Sequence, residues 1–137
     1  MVTNFEEYTH PLTADELVML DLFVAIVKHR TKKTAIKSGD LMRRINGMIE
    51  PLRLKTKLTE ARVRKMSNHI RRNSLLPLCA TTVGYYLTDD PDEIAREIQS
   101  LRDRANAINA AADGLLHFIT PKPTPPPVVQ GSLIEQQ

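Results

Sequence analysis

Residues 59–73 hold five Lys/Arg, a histidine and two asparagines in a stretch with helical periodicity. At roughly 100° per residue, Val63, Met66 and Ile70 fall in one narrow arc, and they are the only large apolar side chains there. Arg71, Arg64, Asn68, Ala61, Arg72, Lys65, His69 and Arg62 fill the opposite arc. The spacing therefore predicts a helix with one face against a core and the other basic along its whole length. Such a face has a defined chemistry. Guanidinium and ammonium groups bind phosphate and can donate to guanine O6 and N7, Asn68 can pair with adenine N6/N7, and Ala61 is small enough to meet a thymine methyl.

A basic helix can also do no more than keep a surface soluble, so its neighbourhood matters. Arg43, Arg44, Arg53, Lys55 and Lys57 lie just upstream. Residues 28–72 carry 15 Lys/Arg against Asp40, Glu50 and Glu60, a balance of +12, while the rest of the chain sums to −9. Charge separated in this way attracts a polyanion to one region. The candidate surface is Thr59, Ala61, Arg62, Arg64, Lys65, Asn68, His69 and Arg72, joined by Arg43, Arg44, Lys55 and Lys57.

Catalysis finds little in the residue pattern. His10, His29, His69 and His117 are scattered and form no metal-ligand spacing with Cys79, the single cysteine. Cys79 sits in an apolar stretch, the setting of a buried structural thiol rather than a nucleophile. Five glycines include no phosphate-cradling loop. Of Tyr85 and Tyr86, one is expected to pack inward and the other to lie on the surface. The sequence predicts no enzyme, no metal and no cofactor.

The elements that must position the basic helix follow from caps and periodicity. Thr13 and Glu16 form a capping box, and Leu17, Leu20, Phe23, Val24 and Val27 form a stripe on a first helix ending near His29. A short extended piece at Thr34, Ala35 and Ile36 precedes a second helix, capped by Ser38, with Leu41, Ile45 and Met48 inward and Pro51 ending it. Residues 50–58 read as a connector, and Thr59 caps the basic helix. Residues 75–82 and 85–88 read as strands of a hairpin reversing at Val83-Gly84, with Pro77 at its edge. From Asp90-Pro91 a long helix is predicted to residue 119. Its apolar positions Ile94, Ile98, Leu101, Ala105, Ile108, Ala112, Leu115 and Ile119 alternate steps of four and three, a heptad seam. Five prolines within residues 121–127 predict a disordered tail.

The expected fold is mainly α with a small β-hairpin: a winged helix-turn-helix domain over residues 1–90, a C-terminal heptad helix over 91–119 and a Pro-rich tail over 120–137. The basic helix then takes the recognition position, which enters the major groove. The longest apolar run, residues 17–27, is interrupted by Asp21 and about half the length of a membrane span. The start is acidic, with no basic-then-apolar leader. The lone cysteine forms no intrachain disulfide, so a reducing, cytoplasmic setting is expected.

The passages Asn68-His69-Ile70-Arg71-Arg72-Asn73-Ser74-Leu75-Leu76-Pro77-Leu78, Gly84-Tyr85-Tyr86-Leu87, Asp90-Pro91-Asp92-Glu93-Ile94 and Leu101-Arg102-Asp103-Arg104-Ala105 resemble phage- and prophage-encoded winged-helix DNA-binding proteins. The resemblance covers roughly residues 59–108. It implies a small DNA-binding protein of a phage or mobile element, in which the helix leads through a proline into a wing ending in Gly-Tyr-Tyr. One departure is the wing itself: Thr81-Thr82-Val83-Gly84 carries no Lys or Arg.

The expected function is sequence-specific binding of duplex DNA, in transcription regulation or as a replication accessory. A protein-interaction adaptor with weak, non-specific nucleic-acid binding is the alternative. Structured RNA is disfavoured because the strands lack aromatic stacking motifs. The seam predicts a homodimer through Ile94, Ile98, Leu101, Ile108 and Leu115, against the alternative that the stripe packs on the first helix.

Overall fold

Thr13 Oγ1 accepts from the Glu16 backbone N–H at 3.2 Å, and Glu16 Oε1 accepts from the Thr13 N–H at 2.9 Å. Two donors that a helix start would leave open are thereby satisfied. In the computed structural model, which describes residues 10–119, this box starts α1, Ala14–Val27, with Lys28 as its C-cap. The buried face of α1 is Glu16, Met19, Leu20, Phe23 and Val27. Leu17, expected on the core stripe, is half exposed, because that stripe runs from Glu16 through Leu20, Phe23 and Val27 and leaves Leu17 on its flank.

A 3-10 turn at Lys32–Thr34 leads to Ile36, which bridges antiparallel to Tyr85. Helix α2 spans Ser38–Ile49 with Lys37, not Ser38, at the cap position. The Ser38 hydroxyl instead donates to Glu60 Oε2 at 3.0 Å. Leu41, Ile45 and Ile49 face the core at one-turn spacing. Met48, expected inward, is exposed, since Ile49 completes that row. Pro51 lies in a 3-10 turn, Glu50–Leu52, that closes the helix. Helix α3, Glu60–Arg72, starts at Thr59, whose hydroxyl accepts from the Arg62 N–H at 3.3 Å. Val63, Met66 and Ile70 are fully buried, as the periodicity predicts.

The end of α3 differs from expectation. Ser74 adopts a left-handed conformation (φ 55°), its N–H bonds to Arg71 O at 3.1 Å, and the Leu75 N–H bonds to Ile70 O at 2.9 Å. These two bonds are those of a Schellman cap, with serine where glycine is usual. Residues 73–75 are thus consumed by the helix end, and strand β1 starts at Leu78 rather than at 75. Strands β1, Leu78–Thr81, and β2, Gly84–Leu87, pair antiparallel with Thr81 opposite Gly84. The reversal is therefore Thr82-Val83, one residue earlier than expected. Gly84 has φ 121°, and a Cβ there would come within 2.5 Å of the Ile36 carbonyl oxygen. Only glycine lets the two strands and the Ile36 bridge meet.

Tyr85 packs edge-on against Phe23, with ring centroids 5.8 Å apart. Tyr86, expected either inward or on the surface in alternation with it, is also buried, as is its cross-strand neighbour Cys79. The face they share lies near Glu93 and Glu97, so both sides of the hairpin are covered. Burial, and secondarily the Glu97 charge, pushes the Cys79 thiol above its ordinary pKa.

Helix α4 spans Pro91–Leu116, so Ile119 of the expected seam lies beyond its end. The chain forms two units, Met1–Ile98 and Gln99–Gln137. The first holds a core of Met19, Phe23, Leu41, Ile45, Val63, Met66 and Ile70 among others. In the second, Ile108 and Leu115 are exposed, and no residue of α4 after Glu97 is buried. The fold of the described residues is mainly helical with one two-stranded antiparallel hairpin. None of their helices is long and apolar enough to cross a membrane. The expected tail, 120–137, and residues 1–9 lie outside the described residues.

Candidate nucleic-acid interface

The sequence treats the cations of α3 as one surface, and the structure separates them. Lys65 is 4% exposed, with Nζ donating to Glu16 Oε1 at 2.7 Å. Arg62 Nε donates to Glu16 Oε2 at 3.0 Å and its Nη1 to Lys57 O at 3.2 Å. Arg71 Nε donates to Leu78 O at 3.0 Å and its Nη2 to Glu97 Oε2 at 2.9 Å. Lys65 is therefore removed from the candidate surface and Arg62 partly so, both held by α1. Arg71, on the basic arc, ties α3 to β1 and α4. A helical wheel places Lys65 opposite the core, but Glu16 covers that flank.

The side chains that remain outward form a narrower row. Arg64 and Arg72 are exposed, and Ala61, Asn68 and His69 are half-buried. Ala61, Arg64, Asn68 and Arg72 follow one another at steps of three, four and four, which aligns them along one edge of the helix. Thr59 lies exposed at its start. His69 is engaged at its carbonyl, which accepts from Asn73 Nδ2 at 2.9 Å.

The upstream cations also divide. Arg43, Arg53 and Lys57 line one depression of about 420 Å³ together with Asn46, Gly47 and Thr56. Arg43 is also ion-paired with Asp40, three residues earlier on α2. Arg44 lies elsewhere, in a cleft with Leu22, Ile26, His29, Arg30 and Met48. Lys55 exposes its side chain while its backbone N–H donates to Asp15 Oδ2 at 3.0 Å.

Three residues that position this surface carried no functional expectation. Asp15 Oδ2 accepts from the backbone of Lys55 and Thr56 and from the Thr56 hydroxyl, pinning the connector to the start of α1. Asn46 clasps Leu58 by donating to its carbonyl at 3.1 Å and accepting from its N–H at 2.8 Å. Glu16 joins α1 to α3. Burial raises its pKa, but Lys65, the Thr13 N–H and Arg62 more than offset that, holding it below the ordinary carboxylate range. Its position was visible in the sequence, because Glu16 falls on the same stripe as Leu20, Phe23 and Val27. An acid on a core stripe requires a cationic partner.

No protein-family model, curated protein or solved structure matches this chain. The surface presents an edge with two guanidiniums around an amide, and a separate depression where Arg43, Arg53 and Lys57 outnumber Glu50. Among the described residues no three His, Cys, Asp or Glu side chains converge to hold a metal ion.

Proposed function

We propose that this chain is a sequence-specific duplex-DNA-binding protein of the winged helix-turn-helix type, with α3 as the recognition helix. The observation that carries the reading is the edge Ala61, Arg64, Asn68 and Arg72. These four are outward on a helix whose other cations are anchored inward by Glu16 and Glu97. A helix fixed by three buried or half-buried ion pairs presents its free edge in one orientation, which base readout requires. Arg43, Arg53 and Lys57 supply phosphate contacts beside it, which set register without reading sequence. The element order fits as well: helix, bridge, helix, connector, basic helix and hairpin. The hairpin tip, without Lys or Arg, takes little part, so specificity rests on α3. A role in regulating a phage or mobile element follows from the family resemblance of residues 59–108.

The experiment is selection of bound sequences from a random duplex pool, followed by titration from about 50 to 200 mM salt. Log affinity is expected to fall with log salt at a slope of roughly −0.9 per phosphate contacted. A flat salt response with no enriched sequence would instead favour a protein-interaction adaptor.

A further inference from the structure

From Ile98 onward, α4 presents a largely exposed apolar face among the described residues. Ile98, Ile108 and Leu115 are 43%, 63% and 68% exposed, and with Leu101, Ala105 and Ala112 they follow the four-three alternation of a two-helix seam. A continuous apolar stripe of this length marks an interaction surface. Its order of large and small side chains says which partner fits.

We infer that the occupant is a second copy of the same helix, lying antiparallel. With the two-fold axis between Asn106 and Ala107, Leu101 of one copy faces the partner's Ala112, Ala105 faces the partner's Ile108, and Ile98 faces the partner's Leu115. Two of the three distinct layers then pair one large with one small side chain, the arrangement that fills a helix interface without voids. A parallel, in-register pair instead stacks Ala105 on Ala105 and Ala112 on Ala112, leaving two underfilled layers.

Charge selects the same orientation. In the antiparallel pair Arg102 lies on the same side of the seam as the partner's Asp113, about 3 Å from it along the axis, and at 1.5 Å per residue no Arg faces an Arg. In the parallel pair the flanking partner of Arg102 is Glu97. That carboxylate is already buried against Arg71 at 2.9 Å. The two-fold operation uses the same patch on both copies, so the assembly closes as a dimer and does not grow. The two Ile98 positions stand about 25 Å apart along the helix pair, from the same rise per residue.

The test needs no nucleic acid, so its failure is separable from failure of the DNA reading. Light scattering of the full chain at tens of micromolar should give twice the chain mass. In a Cys79→Ala background, Leu101→Cys chains mixed with Ala112→Cys chains should form a disulfide-linked pair on mild oxidation. Neither variant should do so alone, because like positions then lie about 16 Å apart. Ile108→Lys should give a monomer whose melting transition is retained. A monomeric wild-type chain, larger oligomers, self-crosslinking of Ala112→Cys, or an Ile108→Lys chain that stays dimeric or unfolds would each overturn the proposal.

Discussion

Lys65 Nζ lies 2.7 Å from Glu16 Oε1, and the two side chains are 5% and 3% exposed. An ammonium and a carboxylate this far from water are stable only as a pair, because each alone would carry a large desolvation penalty. The pair joins the start of α1 to the middle of the proposed recognition helix, 49 residues later in the chain. It makes the orientation of α3 depend on a residue that touches none of Ala61, Arg64, Asn68 and Arg72 in any hydrogen bond or ion pair described.

Glu16→Gln should therefore destabilise the first unit by about 3–5 kcal/mol, the usual loss when one partner of a buried pair is removed. Glu16→Met combined with Lys65→Met should recover part of that, since the core then holds no unpaired ammonium and the half-buried Arg62 keeps its bond to the Lys57 carbonyl. Urea denaturation of the two variants checks this, and a loss below about 1 kcal/mol for Glu16→Gln would show that the pair does not hold the helix.

The same carboxylate predicts an acid transition. Its folded pKa is lowered, so its stabilisation is complete above the unfolded value of about 4.3 and is lost as pH falls through the folded value. The difference in melting temperature between wild type and Glu16→Gln should be constant from pH 7 to about 5 and shrink below about 4. A difference that grows on acidification contradicts the assignment.

On DNA, the outward edge and the connector should behave differently. Asn68→Ala is expected to lose about 1–3 kcal/mol on the selected site and to relax specificity there. Arg43→Ala and Lys57→Ala should weaken binding to all sequences alike and reduce the salt slope by about one contact each. Equal profiles for the two groups on selected and random duplexes would show that α3 does not face the bases.

Two backbone positions should respond in opposite directions. Ser74→Gly places glycine at the left-handed cap of α3 and should stabilise the fold by up to about 1 kcal/mol. Gly84→Ala drives a methyl toward the Ile36 carbonyl at a φ that side chains avoid and should cost about 1–3 kcal/mol. Thermal melts of both variants test whether the α3 cap and the Ile36 bridge are formed as described.

The sequence alone determined what depends on neighbours along the chain. The capping box of Thr13 and Glu16, the cap at Thr59, the buried arc of Val63, Met66 and Ile70, the hairpin and the long last helix all follow from periods and caps a few residues long. Boundaries shifted where a local rule was hidden: the Schellman cap at Ser74 uses a serine where glycine is the usual signal, and it moved β1 to Leu78. Tertiary structure alone decided which cations of α3 face outward. Arg62, Lys65 and Arg71 differ from Arg64 and Arg72 only in what lies across from them, and Glu16, Leu78 and Glu97 come from other elements. Charge on a helical wheel is set by spacing, but whether that charge meets water, DNA or a buried carboxylate is set by packing between segments distant in sequence.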